Sequence, residues 1–220
     1  MPPGVILAFA AYTLYSCCDA IIKGFGSDLT IHEIAFWTAL FSFLPAMFIK
    51  PKEERWRDFW RMEHPWLVHL RSATGLLGNL CVIYAFVHIP LAETYSLAFL
   101  APIFIVILSV FLLRESVGWQ RWAFLGMSFV GVLLVVRPGF RELQLGHLAA
   151  VGAAFFGAIS TTVLRRVAPY EKRVSLLAVP LGYILVVNFA LMLPSVELPT
   201  LTEFALLLTI GALGGTGNVL

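Results

Sequence analysis

Hydrophobic residues along this chain gather into long blocks that lack the period-2 alternation of a half-buried strand. Between ionised residues the blocks cover 1–18, 34–49, 72–92, 94–113, 122–136, 143–164, 174–196 and 204–220. A helix needs roughly 20 apolar residues to cross the hydrocarbon layer of a bilayer, with about 17 to 25 tolerated. Each block reaches that length with its flanks, as when Ala20 to Ile22 extend the first. Backbone groups in lipid have to be bonded within their own segment, so blocks without barrel alternation predict helices. The expected fold is an all-α integral membrane protein of about eight spans, the last of them incomplete.

Composition agrees and removes other classes. Hydrophobic residues make up 60% and charged residues 13%, with a mean hydropathy of +0.88, which excludes an ordinary soluble domain. Fifteen Lys and Arg against thirteen Asp and Glu leave a net charge of +2, so nothing marks a nucleic-acid partner. Cys17, Cys18 and Cys81 form no disulfide framework or Cys-x-x-Cys metal spacing and read as small packing residues. Met1 to Gly4 carry no positive side chain and the first block runs on to Asp19 and Lys23, so the segment is expected to stay uncleaved.

The charges also predict orientation. With a cytoplasmic N-terminus, twelve Lys and Arg fall in inside loops and only Lys23, Arg137 and Arg141 fall outside, as the positive-inside rule requires. The expected location is a plasma membrane, specifically a bacterial inner membrane, crossed several times. Residues 50–66 mix charges with Trp56, Phe59, Trp60 and Trp66, the first three at helical spacing, predicting a short amphipathic helix in the cytoplasmic interface.

The chain matches itself. An offset of 142 sets Gly4 on Gly146, Ala8 on Ala150, Ala11 on Ala153 and Lys23 on Arg165. An offset of 139 sets Gly75 on Gly214, Gly78 on Gly217 and Asn79 on Asn218. The spacing predicts two five-helix repeats, 1–139 and 140–220, with the second truncated after its third helix; a complete pair would have ten spans. Five crossings are odd in number, so the second copy enters from the opposite side. Inverted repeats of this kind are a recurring construction of secondary transporters.

At Pro90-Leu91-Ala92-Glu93-Thr94-Tyr95, Phe99-Leu100-Ala101-Pro102-Ile103-Phe104 and Arg114-Glu115-Ser116-Val117 the chain resembles the EamA-like branch of the drug/metabolite transporter superfamily. Arg121-Trp122, Gly131-Val132-Leu133-Leu134 and Arg137-Pro138-Gly139 extend the likeness. Arg114 stands where the family often has Gly, a departure confined to a loop. The resemblance implies ten helices around a central cavity and movement of small organic metabolites.

Candidate site residues follow from polarity inside the spans. Asp19 is the acid within a span, Lys23 follows one turn later, and Tyr12 and Ser16 share that face. Asp19 is a candidate for meeting a substrate amine or, with Lys23, for ion or proton coupling; the alternative is an interfacial pair that snorkels. Asn79 and its repeat partner Asn218 are candidates for hydrogen-bonding a substrate or for joining helices. Tyr95 and Phe99 share a face with Pro102, so the two rings could stack on a substrate beside a hinge at Pro102. Glu93 opens its span where a carboxylate caps a helix. Small residues at 146, 150, 154 and 158, and again at 149, 153 and 157, allow close helix packing.

An intramembrane enzyme is disfavoured: His32-Glu33 begins a zinc-protease-like motif, but position 36 is Phe. No metal site or cofactor is expected. A passive channel would need a polar ring, and a structural role would not need an inverted repeat. The expected function is a secondary transporter of small organic metabolites, partnered by the lipid bilayer and a small-molecule substrate, with homodimer formation left open.

Overall fold

The structure, a computed structural model, describes residues 3–25, 29–48, 54–112, 118–136, 143–195 and 199–217. All regular elements among the described residues are helical. They are α1 (Pro3–Phe25), α2 (Ile31–Phe48), α3 (Pro65–His88), α4 (Leu91–Ala98), α5 (Ala101–Leu112), α6 (Trp119–Val136), α7 (Leu145–Val167), α8 (Arg173–Met192) and α9 (Leu201–Gly217). Every hydrophobic block carries a helix. Five stretches are long and apolar enough to cross a membrane: Val5–Phe25, Pro65–His88, Leu91–Phe111, Leu145–Val167 and Arg173–Met192. α9 is a shorter apolar helix, as is the Ile31–Phe43 part of α2.

The helix starts are written locally. Thr30 and Glu33 bond reciprocally, Glu33 Oε2 accepting the Thr30 N–H at 2.9 Å while Thr30 Oγ1 accepts the Glu33 N–H at 3.3 Å. Thr200 and Glu203 repeat this capping box before α9 at 2.7 and 3.4 Å. Pro65 at the first position of α3 lacks an N–H that would be unsatisfied there.

Contacts divide the chain into two compact units, Met1–Arg61 with Lys172–Leu220 (unit 1) and Met62–Glu171 (unit 2). Each draws helices from both predicted repeats. In unit 1, α9 packs against α1 and α2, and α2 also packs against α8. Phe41 of α2 lies directly over Gly211 of α9, where no side chain could fit. Its ring stacks on Trp37 at 5.9 Å and meets Phe204 edge-on at 5.2 Å. Against α1, Cys18 Sγ donates to Ile210 O at 3.5 Å, and Cβ atoms on Gly214 and Gly217 would meet Cys18 Sγ at 4.0 Å and the Tyr15 ring at 3.1 Å.

The expected interfacial helix is corrected in the part that is described. Residues 54–64 hold one 3-10 turn, Trp56–Asp58, and no α-helix. Two acids there reach the start of α8. Glu54 accepts the N–H groups of Arg173 and Val174 at 3.3 and 2.9 Å, at the positive end of the α8 dipole. Asp58 pairs with Lys172 at 3.3 Å. Trp60 remains exposed.

Unit 2 is organised by α7, against which α3, α4 and α5 pack; α6 packs on α4. Gly146, Ala150, Ala154 and Ala158 form the buried stripe of α7, and small side chains are what let neighbouring backbones approach. Ser160 Oγ donates to Arg71 O at 3.2 Å, and Cβ atoms on Gly75 and Gly78 would meet Ser160 Oγ at 3.3 Å and Gly157 N at 3.4 Å. Glu171 accepts the His64 N–H at 2.6 Å, closing the start of α3 onto the end of the unit. The core joins Ala85 and Ile89 of α3 to Leu97, Leu100, Val132, Ala150 and Ala154.

The fourth block is interrupted where the sequence places a bend, inside the span-length stretch Leu91–Phe111. α4 ends at Ala98, a turn occupies Phe99–Leu100, and α5 begins at Ala101. Pro102 explains the position: it has no N–H for the Ala98 carbonyl, and its ring would crowd that same carbonyl in a continuous helix.

Candidate functional site

The sequence candidates distribute over both units. In unit 1, Tyr12 and Ser16 lie on an exposed face of α1, and Asp19 and Lys23 are half-buried one turn apart. Tyr12 meets Tyr15 edge-on at 6.5 Å. Asn218 lies outside the described residues.

In unit 2, Asn79 sits midway along α3, and its Oδ1 is buried without a protein hydrogen-bond partner. A buried acceptor left open costs about 1–3 kcal/mol, so it is a place where a donor would be welcome. Phe86, seven residues on, shares that face of α3 and meets the Tyr95 ring at 6.0 Å. Tyr95 and Asn79 thus address one side of α3. Phe99 occupies the break itself and is 61% exposed.

A groove of about 370 Å³ opens at the break, lined by Ser96 and Phe99 together with Ser128, Gly131 and Val132 of α6. Ser96 Oγ donates to Ala92 O at 2.7 Å and keeps acceptor capacity. A larger hollow of about 600 Å³, lined by residues such as Cys81, Phe104, Gly152 and Phe155, is almost purely hydrocarbon and offers nothing to orient a polar ligand.

Glu93 departs from simple capping. It lies in the first turn of α4, but its buried carboxylate Oε2 is 2.9 Å from Nε2 of buried His147. His147 Nδ1 accepts the backbone N–H of Gln144 at 3.0 Å, so the ring's proton is on Nε2 and is donated to Glu93. In unit 1, Asn188 gives its amide N–H to Ile184 O at 2.8 Å, leaving Oδ1 to accept from His32 Nδ1 at 3.1 Å.

The family model described as the EamA-like transporter family matches residues 2–137. The chain belongs to the EamA-like transporter family. Over 219 residues it is 28% identical to a pseudopaline exporter, CntI, of Pseudomonas aeruginosa, covering 98% of this chain and 76% of the relative. It is 27% identical over 206 residues to an S-adenosylmethionine uptake transporter of Rickettsia bellii, covering 90% and 68%. A riboflavin transporter of Vibrio cholerae is 28% identical over 144 residues, 65% of this chain and 48% of the relative. No solved structure matches.

In this EamA-like membrane transporter the two histidine pairs escaped sequence reasoning because their partners are 54 and 156 residues apart. A local signal existed for one of them. Gln144 stands three residues before His147 just ahead of an apolar block, and the pair forms a variant capping box. Glu93 was visible as an acid at the head of a span, but its partner was not.

Proposed function

We propose that this chain transports a small organic metabolite by secondary, alternating-access transport without ATP. The observation that carries this reading is the break between α4 and α5 within one apolar run, with a groove at the break. Discontinuous membrane helices expose unpaired backbone groups and build the substrate sites of secondary transporters. Asn79, Tyr95 and Phe99 are the substrate contacts proposed in unit 2, with Pro102 as the hinge. Tyr12, Ser16 and Asp19 of α1, with Asn218, are proposed as further contacts, and Asp19 with Lys23 for ion coupling. The substrate class proposed is an amino acid, vitamin or nucleotide-like compound, and relatives named for S-adenosylmethionine and riboflavin support it.

Recurring contacts support the inverted repeat. The offset of 142 carries Cys18 onto Ser160, and the offset of 139 carries Arg71 onto Ile210; Cys18 bonds Ile210 O as Ser160 bonds Arg71 O. The same offsets relate Gly75 beside Ser160 to Gly214 beside Cys18, and Gly78 beside Gly157 to Gly217 beside Tyr15. Three long-range contacts in unit 1 are therefore repeated in unit 2 between equivalent residues. The charge distribution supports a cytoplasmic N-terminus.

An untargeted comparison of metabolites in cells and medium, with and without the expressed chain, tests the reading. A compound accumulating inside identifies an importer, and one accumulating outside an exporter. No change across varied nutrients would reject metabolite transport; flux without saturation would favour a channel.

A further inference from the structure

Residues 54–61 of unit 1 sort their charged side chains by sign. Both acids reach the start of α8, where Glu54 accepts the Arg173 and Val174 N–H groups and Asp58 pairs with Lys172 at 3.3 Å. The three arginines turn outward. Arg55 and Arg57 are exposed and make no ion pair among the described residues, and Arg61, its side chain 79% exposed, comes only within 3.8 Å of Asp58. Lys50, Lys52 and Glu53 lie outside the described residues. We propose that Arg57 and Trp60, flanked by Arg55 and Arg61, bind the phosphate headgroup of an anionic phospholipid. Such a site requires only a chain embedded in a membrane and is independent of what the protein transports.

Local geometry puts the ring beside the charge. Side chains three residues apart eclipse in a 3-10 turn, and the turn Trp56–Asp58 continues with helical backbone angles at Phe59. One side of the turn therefore carries Trp56 and Phe59, and a second carries Arg57 and Trp60. Trp56 packs on Phe43 of α2, their rings 5.4 Å apart. The second side is open, with Arg57 exposed and Trp60 70% exposed while its indole stacks on the Phe59 ring at 4.0 Å.

Depth follows from the contact with α2. Phe43 lies five residues before the end of that helix at Phe48. At 1.5 Å per residue this is roughly 8 Å along the axis. Trp56 thus holds the turn back against the last turns of α2, while Glu54 and Asp58 hold it at the first turn of α8, where the span Arg173–Met192 begins. The headgroup layer on each side of the hydrocarbon is itself roughly 5–8 Å thick. The open side of the turn is therefore at the level of lipid phosphates.

The chemistry selects the ligand. A guanidinium presents a planar fork of donors that matches two phosphate oxygens. Indole rings favour the headgroup level, where one end is apolar and the other wet. An acidic peptide would satisfy the arginines but gives no reason for an open indole at this depth, whereas a phospholipid satisfies both. A choline headgroup would add a cation beside three guanidinium groups, so a lipid with net negative charge is preferred.

Native mass spectrometry of the full chain, titrated in detergent with phosphatidylglycerol or phosphatidylcholine, tests the site. Wild type should retain phosphatidylglycerol in preference to phosphatidylcholine. Arg57→Gln should weaken that retention about fivefold, the factor one basic side chain contributes at an anionic lipid surface. Arg57→Lys should recover only part of the loss, because the charge returns without the fork. Arg121→Gln, at another exposed arginine near the start of α6, should leave retention unchanged. All three positions are exposed, so the variants are expected to fold, as circular dichroism would verify. In nanodiscs of phosphatidylglycerol with brominated acyl chains, the emission that Trp60→Phe removes should be quenched relative to unbrominated lipid. Equal retention of the two lipids by wild type would overturn the proposal and assign the patch to an acidic protein partner. Displacement of the lipid by inorganic phosphate would overturn it in favour of a free-phosphate site. A loss in Arg121→Gln matching that in Arg57→Gln would reduce the effect to general surface charge and overturn the site. Unquenched Trp60 emission would overturn the placement of the ring among lipids.

Discussion

A methyl group on Gly211 would collide with the Phe41 side chain and come within 3.0 Å of the Phe41 backbone, so α2 and α9 would have to separate. Overpacking of this kind costs about 1–3 kcal/mol. Gly211→Ala should therefore lower the thermal stability of the nanodisc-embedded chain, whereas Gly126→Ala, whose added Cβ meets nothing, should match or exceed wild type because Ala favours helix by up to about 1 kcal/mol. Equal stability for both variants would remove the contact from unit 1's core. Asp58 gives a pH-dependent case. Its bond to the Lys172 ammonium holds its carboxyl below the usual carboxylate range. A depressed pKa means the tie stabilises fully above the ordinary carboxylate range and is lost as pH falls through the lowered value. Acidification should loosen residues 54–61 from the start of α8 in wild type, read by hydrogen exchange at Arg173 and Val174. Asp58→Asn should show the looser behaviour already at neutral pH. Such pairs were beyond the sequence because Asp58 and Lys172 are far apart in the chain and surface charges have many alternative partners.

At the level of elements, most of the fold was legible because length and apolarity decide membrane helices almost alone. The helix starts at Thr30-x-x-Glu33 and Thr200-x-x-Glu203 went unread, although capping is local chemistry. Residues 54–64 were misread because aromatic spacing resembles a helix, while Glu54 and Asp58 were claimed by α8, which only the tertiary structure shows. Pro102 announced the bend, and its effect falls on the carbonyl four residues earlier, where α4 ends. If Pro102 causes the break, Pro102→Ala should let α4 and α5 join. Spin labels at Ala92 and Phe111 would then approach the ~28 Å separation of a continuous helix at 1.5 Å per residue. A distance identical to wild type would assign the break to packing of α4 and α5 on α7 instead.

For the whole molecule, the sparse self-match of Gly, Ala and Asn gains weight from what those residues touch. Glycine recurs in membrane helices for general reasons, so shared glycines alone carry little. A shared hydrogen bond to an equivalent carbonyl, made by Cys18 in unit 1 and Ser160 in unit 2, is harder to obtain by composition. It requires two helix pairs to meet at the same register. This makes the repeat testable without substrate. In a background with Cys17 and Cys81 replaced by Ser, Gly214→Cys should form a disulfide with native Cys18 on mild oxidation in membranes. In a background also lacking Cys18, Gly75→Cys with Ser160→Cys should do the same, because the two pairs occupy equivalent places. Shifting either introduced cysteine by two residues turns it about 200° around its helix and should abolish the bond. Crosslinking of both matched pairs, with neither shifted pair reacting, is the outcome an inverted repeat requires. Efficient crosslinking in one unit with none in the other would mean that the matched contacts do not reflect a common design, and the rationale for alternating access through paired repeats would go with it.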